Sequence, residues 1–156
     1  MCSLGCQRQN PVDCTLKNIQ NQMLSSKTIQ GLVEGFLMNE SKDILDLSGV
    51  RVNNLESVLY EIRKVREIPR IKLNRNMLTD SQVLKILPFL DTTESINLSC
   101  NNLTDQSLGL ILENMPKRNK LNVLNLSRNQ YIHEGKKEVK EKIVEFRTKF
   151  GIMVMI

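Results

Sequence analysis

Four cysteines and one histidine are the residues of this chain best suited to chemistry of their own. The thiols are Cys2, Cys6, Cys14 and Cys100. A structural zinc site wants two close pairs of ligands. Here three thiols crowd the N-terminus and Cys100 lies far along the chain, so the spacing predicts free thiols and no metal. Cys2 and Cys6 stand where N-terminal lipidation occurs, and the sequence leaves that question open. His133 opens the stretch HEGKK, which lacks the second histidine of the helical zinc motif. With Tyr131, Ile132 and Glu134 beside it, it reads as a surface or turn histidine. Asn-x-Ser/Thr triplets begin at Asn39, Asn97, Asn102 and Asn125. They matter only in a secreted chain, and the first residues lack the basic-then-apolar pattern of a signal peptide. No acid, base and nucleophile fall together in a recognisable arrangement, so no catalytic residue and no cofactor is assigned.

What the chain does carry is repetition. IKLNRNMLTD begins at Ile71 and INLSCNNLTD begins at Ile96, 25 residues on. A third copy, LNLSRNQY, starts at Leu124, with Tyr131 in the slot of Leu78 and Leu103. LDLSGVRV at Leu45 is a drifted copy with Val50 in the asparagine slot. KNIQNQML, with Gln22 in that slot, and the terminal IMVMI are end pieces. A catalytic site needs its residues once, whereas a phrase recurring at 25 to 28 residues marks a supersecondary building block.

Each copy has two halves. Ile71 and Leu73 alternate with Arg70, Lys72 and Asn74, the period of a strand with one buried face. After Thr79-Asp80 and Thr104-Asp105, which suit helix N-caps, the period lengthens to that of a helix. Val83, Leu84, Leu87 and Leu90 recur at that spacing, as do Leu108, Ile111, Leu112 and Met115. Ile29, Leu32, Val33 and Phe36 mark an earlier helix, Leu55, Val58, Leu59 and Ile62 another. Val139, Ile143, Phe146 and Phe150 mark the last. Pro88 predicts an early end or kink in its helix.

The pattern at Ile68, Ile71, Leu73, Asn76 and Leu78 resembles the leucine-rich repeat, and the helical second half resembles its ribonuclease-inhibitor class. The resemblance spans roughly residues 17–156. It implies an α/β solenoid, a short horseshoe with parallel strands on the concave face and helices on the convex one. Strands need about 4.8 Å each and helices about 10 Å, which curves such a stack. Residues 1–15 are then a cysteine-containing tail and 16–156 the repeat domain, about five strand-helix units plus a terminal strand. In the family the slot asparagine bonds turn backbone, which casts Asn76, Asn101 and Asn129 as a ladder that Val50 and Gln22 break.

Function follows from the resemblance and the outward strand residues. The family mostly presents a curved surface to proteins, which implies a non-enzymatic intracellular adaptor or scaffold. The alternatives are a subunit held permanently in a larger assembly, such as a cytoskeletal or ciliary complex, or a regulator of a small GTPase. The expected contact face comprises Asp46, Arg70, Lys72, Asn74, Asn97, Ser99, Asn125 and Ser127. A step of 28 from Leu124 places Ile152 in line with it, Met153 in the Asn125 column and Met155 in the Ser127 column. The chain then stops on an edge strand flanked by Met153 and Met155, open to a partner strand or a second copy. Basic residues gather at Arg63–Lys72, where an acidic protein patch could dock, and at Lys136–Lys149, where interleaved glutamates make a solvated helix face. The charge is only +5, from 22 basic and 17 acidic residues, and aromatics are 4%, which speaks against nucleic acid. No apolar run reaches membrane-spanning length, and a cytoplasmic location, including cytoskeleton or cilium, is expected.

Overall fold

The computed structural model describes residues 25–38, 43–51, 53, 55–65, 67–89, 91–115 and 119–156. The elements alternate along the chain: α1 (Ser26–Met38), β1 (Ile44–Asp46), α2 (Leu55–Val65), β2 (Arg70–Lys72), α3 (Asp80–Ile86), β3 (Ser95–Asn97), α4 (Asp105–Asn114), β4 (Val123–Asn125), α5 (Lys137–Phe150) and β5 (Met153–Met155). A single 3-10 turn, Leu87–Phe89, follows α3. The five strands form one parallel sheet in the order β1-β2-β3-β4-β5. Parallel neighbours require a long crossover, and each of α2 to α5 lies in one.

Ile71 pairs with Leu45 on one side and Ile96 on the other; Leu124 pairs with Ile96 and then with Val154. The inward residues Leu45, Ile71, Ile96 and Leu124 are buried against the helices. The helical stripes meet them: Leu55, Val58, Leu59 and Ile62 of α2, Val83 of α3, Leu108, Ile111 and Leu112 of α4, Val139 and Phe146 of α5. Among the described residues this buried core is aliphatic apart from Phe146. Truncating a wholly enclosed member such as Leu98 to alanine costs about 2–5 kcal/mol, the lost transfer energy plus a cavity.

Pro88 ends α3 as the sequence predicts. The regular helix stops at Ile86, and the Pro88 carbonyl accepts from the Arg63 guanidinium of α2. The same guanidinium reaches Asp91 at 2.7 Å.

In the turns after β1 to β4 an asparagine takes over part of the backbone. The Asn101 amide oxygen accepts from the Asn76 and Leu78 N–H groups at 2.9 and 3.0 Å, and its nitrogen donates to the Leu73 and Leu98 carbonyls. Asn129 does the same for Asn101, Leu103, Leu98 and Leu126. Asn76 bonds the Arg51 N–H and the Leu47 and Leu73 carbonyls. Each asparagine serves its own turn and the one before it. Val50, buried in the slot beside β1, therefore leaves its turn satisfied, because Asn76 reaches back to it. The interruption expected at Val50 does not reach that turn; Gln22 lies outside the described residues.

The last strand corrects the sequence register by two. Val154, not Ile152, pairs with Leu124, so Met153 lies beside Val123 and Met155 beside Asn125. The cause is the end of α5. Gly151 adopts φ 68° as the helix cap, and the Ile152 N–H donates back to the Phe146 carbonyl. An amide committed to the cap cannot open the ladder, and pairing starts when Met153 donates to the Asn122 carbonyl at 2.8 Å. Tyr131 departs from its counterparts in the other copies. It sits in the slot of the buried Leu78 and Leu103 but is 49% exposed, and Ile132 packs against the core in its stead.

Candidate functional site

The sheet face opposite the helices is built from alternate strand residues. One column reads Ile44, Arg70, Ser95, Val123, Met153 and the next reads Asp46, Lys72, Asn97, Asn125, Met155. Beyond the strand ends Ser48, Asn74, Ser99 and Ser127 continue it, and the Ser48 hydroxyl oxygen lies 2.8 Å from the Asn74 side-chain amide. All eight residues expected at the contact face are thus exposed or half-buried on one surface. Met153 and Met155 add an apolar margin, 49% and 45% exposed.

The charges on this face are largely matched. Lys72 lies 3.2 Å from Asp46, and Arg70 lies 3.6 Å from Asp43. Burial alone pushes the Asp46 carboxyl up, but the Ser48 hydroxyl and amide and the Lys72 ammonium together hold it below its ordinary value. The Asn97 and Asn125 side chains accept from the Ser99 and Ser127 amides. Short polar side chains pinned to their own backbone make a firm, hydrogen-bonding surface.

At the strand exits the backbone turns left-handed. Gly49, Arg75, Cys100 and Arg128 occupy the same position in successive layers, with φ of 70°, 62°, 55° and 58°. The Gly49, Arg75 and Cys100 amides each donate to the next layer, at Asn74, Ser99 and Ser127. Glycine is the residue without a penalty there, and three of the four positions carry side chains instead. Arg51 and Met77 are also left-handed, at φ 53° and 59°.

A second polar ladder joins the helix starts. Asp80 accepts from the Thr104 amide and hydroxyl at 3.0 and 2.6 Å. Asp105, one helix later, accepts from the His133 amide at 2.6 Å, from the His133 ring at 3.0 Å and from Lys136. Burial pushes the Asp105 carboxyl up, yet Lys136 and His133 override it and bring the pKa down to about 2. His133 is thus a surface residue, as expected, but one fixed to a carboxylate. The repeated Thr-Asp pair held the clue to this ladder. Its reading as a helix cap was only half of its role: the Thr104 hydroxyl accepts from the Gln106 amide while its aspartate neighbour bonds the next turn.

Sequence reasoning missed the left-handed arginines, because nothing in an arginine's type announces positive φ. The available signal was Gly49, aligned with Arg75, Cys100 and Arg128 by the repeat itself. Cys100 is a half-buried free thiol; Cys2, Cys6 and Cys14 lie outside the described residues, as do Asn39 and Leu90. Among the described residues no group of three or more histidine, cysteine, aspartate or glutamate side chains is placed to hold a metal ion. No described helix is long and apolar enough to cross a membrane. No family model and no curated protein matches the chain.

Proposed function

We propose that the chain is a leucine-rich-repeat solenoid of the ribonuclease-inhibitor type and works as a non-enzymatic module that binds another protein on its exposed sheet face. The observation that carries this reading is the face itself. Five parallel strands in sequential order leave an uncovered surface of short polar groups, from Asp46 and Lys72 to Asn97 and Asn125. The asparagine ladder supports the repeat reading, since it ties each turn to the one before by the same bonds. The proposed setting is the cytoplasm, with cytoskeleton and cilium as candidate sites of assembly.

A second reading, a subunit held in a larger assembly, draws on β5. Within the described residues it pairs on one side only, beside exposed Met153 and Met155. An edge of this kind accepts a further strand.

The test is capture of partners from native extract by the full chain and two matched charge-reversal variants. Arg70→Glu/Lys72→Glu alters the sheet face, and Lys85→Glu/Lys140→Glu alters the helical side by the same charge. Loss of capture and slower association in the first variant alone supports the reading. Full capture by the first and loss in the second would move the contact to the helices. One stoichiometric large complex among the captured proteins would favour the subunit.

A further inference from the structure

The cations at the strand exits differ from those on the sheet. Arg70 and Lys72 have carboxylate partners. Arg51, Arg75 and Arg128 are exposed, and among the described residues none lies within ion-pair distance of an acidic group. Asp80, five residues after Arg75, is turned to Thr104, and Asp105, five after Cys100, to His133 and Lys136. The result is a rim of uncompensated positive charge along one end of the sheet. Arg75 and Arg128 flank Cys100 in the neighbouring layers, and strand spacing puts their backbones roughly 10 Å apart. Both hold left-handed backbone that glycine adopts without strain, and among the described residues neither side chain makes a hydrogen bond or ion pair in return.

We propose that this rim docks an extended acidic segment of a protein, lying across the strand ends with carboxylates on Arg75 and Arg128. The inference rests on the protein-binding reading above and gives the partner its chemistry. Guanidinium forks match carboxylates in two parallel hydrogen bonds, which a lysine ammonium cannot do. In a polyproline-II-like segment, acidic side chains three residues apart lie on one side at about 9.3 Å, close to the arginine separation. Arg51, at the first strand exit, extends the same positive edge and orients the segment along the rim. A single-stranded nucleic acid would also supply anions, but it wants aromatic rings on which to stack its bases. Of this rim's described neighbours only Tyr131 offers one.

The experiment measures binding of a labelled oligo-glutamate peptide to the full chain by fluorescence anisotropy, beside oligo-glutamine and oligouridylate. Oligo-glutamate is expected to bind, more weakly as salt rises, and the glutamine peptide to bind far less. Arg75→Gly/Arg128→Gly should weaken oligo-glutamate binding about tenfold or more. Glycine suits the backbone there, so loss of folding does not cloud the result; thermal melts check it. Lys85→Gln/Lys140→Gln removes the same charge elsewhere and should leave binding within about twofold. Equal weakening by both variants would mean attraction to net charge alone and would overturn the proposal. So would tighter binding of oligouridylate, or a rim variant that still captures its cellular partner in full. In that last case the sheet-face reading stands, because its own test changes Arg70 and Lys72 and leaves the rim intact.

Discussion

Asn101 concentrates more backbone satisfaction than any side chain chosen for its hydrophobicity could. It is buried, accepts two N–H groups and donates to carbonyls in two layers. Asn101→Ala leaves those groups dry and unpaired, and roughly 1–3 kcal/mol of stability should vanish in urea denaturation. Asn114→Ala, at the exposed end of α4, is the control and should stay within about 0.5 kcal/mol. Equal losses would remove the special status of the slot. The left-handed arginines give the opposite sign. Arg75→Gly or Arg128→Gly relieves a Cβ clash, partly offset by the freer unfolded chain, so stability should hold or rise by up to about 1 kcal/mol. A clear fall in melting midpoint would mean the arginine side chains stabilise the fold. The asparagines were legible at this scale because their type and spacing recur. The arginines were not, since repetition fixes a position without naming its dihedral angle.

Helices and strands were legible where their stripes were complete. All four apolar positions expected in α2 are buried, and α3 stops where its proline demands. What failed was the step from α5 to β5, because a count of 28 residues cannot foresee that a glycine cap consumes the Ile152 amide. A shift of two keeps the strand's alternation, so the same edge amides are free in either register. Alternate residues of a parallel strand bond to opposite neighbours. Met153 donates to Asn122, and the Met155 carbonyl accepts from the Leu126 amide, so the Val154 amide faces the open edge. In hydrogen exchange the Val154 amide should lose its proton well before that of Met153; the reverse order would turn the Met153 amide outward and overturn the pairing of β5 with β4. The start of α4 carries a pH signature. The Asp105 pKa falls from 3.8 to about 2, so its carboxylate is favoured in the folded state. That contribution is complete above about pH 4 and disappears as pH falls through about 2. Asp105→Asn should flatten the acid limb of the stability curve in that window. An unchanged limb would mean the ties to His133 and Lys136 do not hold in solution.

At the scale of the molecule, the sequence pointed to an alternating α/β chain and its inward and outward faces, because both periodicities are written in apolar residues. The partner remained illegible, since a surface of short polar groups constrains chemistry without selecting one ligand. The sequential strand order has a mechanical consequence. Among the described residues strand pairs and helix pairs form between neighbours in sequence, and no strand is clamped by one distant in the chain. A force applied to the two ends therefore loads the layers in series, like carriages coupled in a train. Each coupling is three residues of strand pairing plus, in the middle of the molecule, one asparagine tie. The chain should part at one coupling at a time. Each event would release about 25 to 30 residues, or roughly 90 Å of extended chain. A tether of this build lengthens in increments while the layers still joined keep their shape.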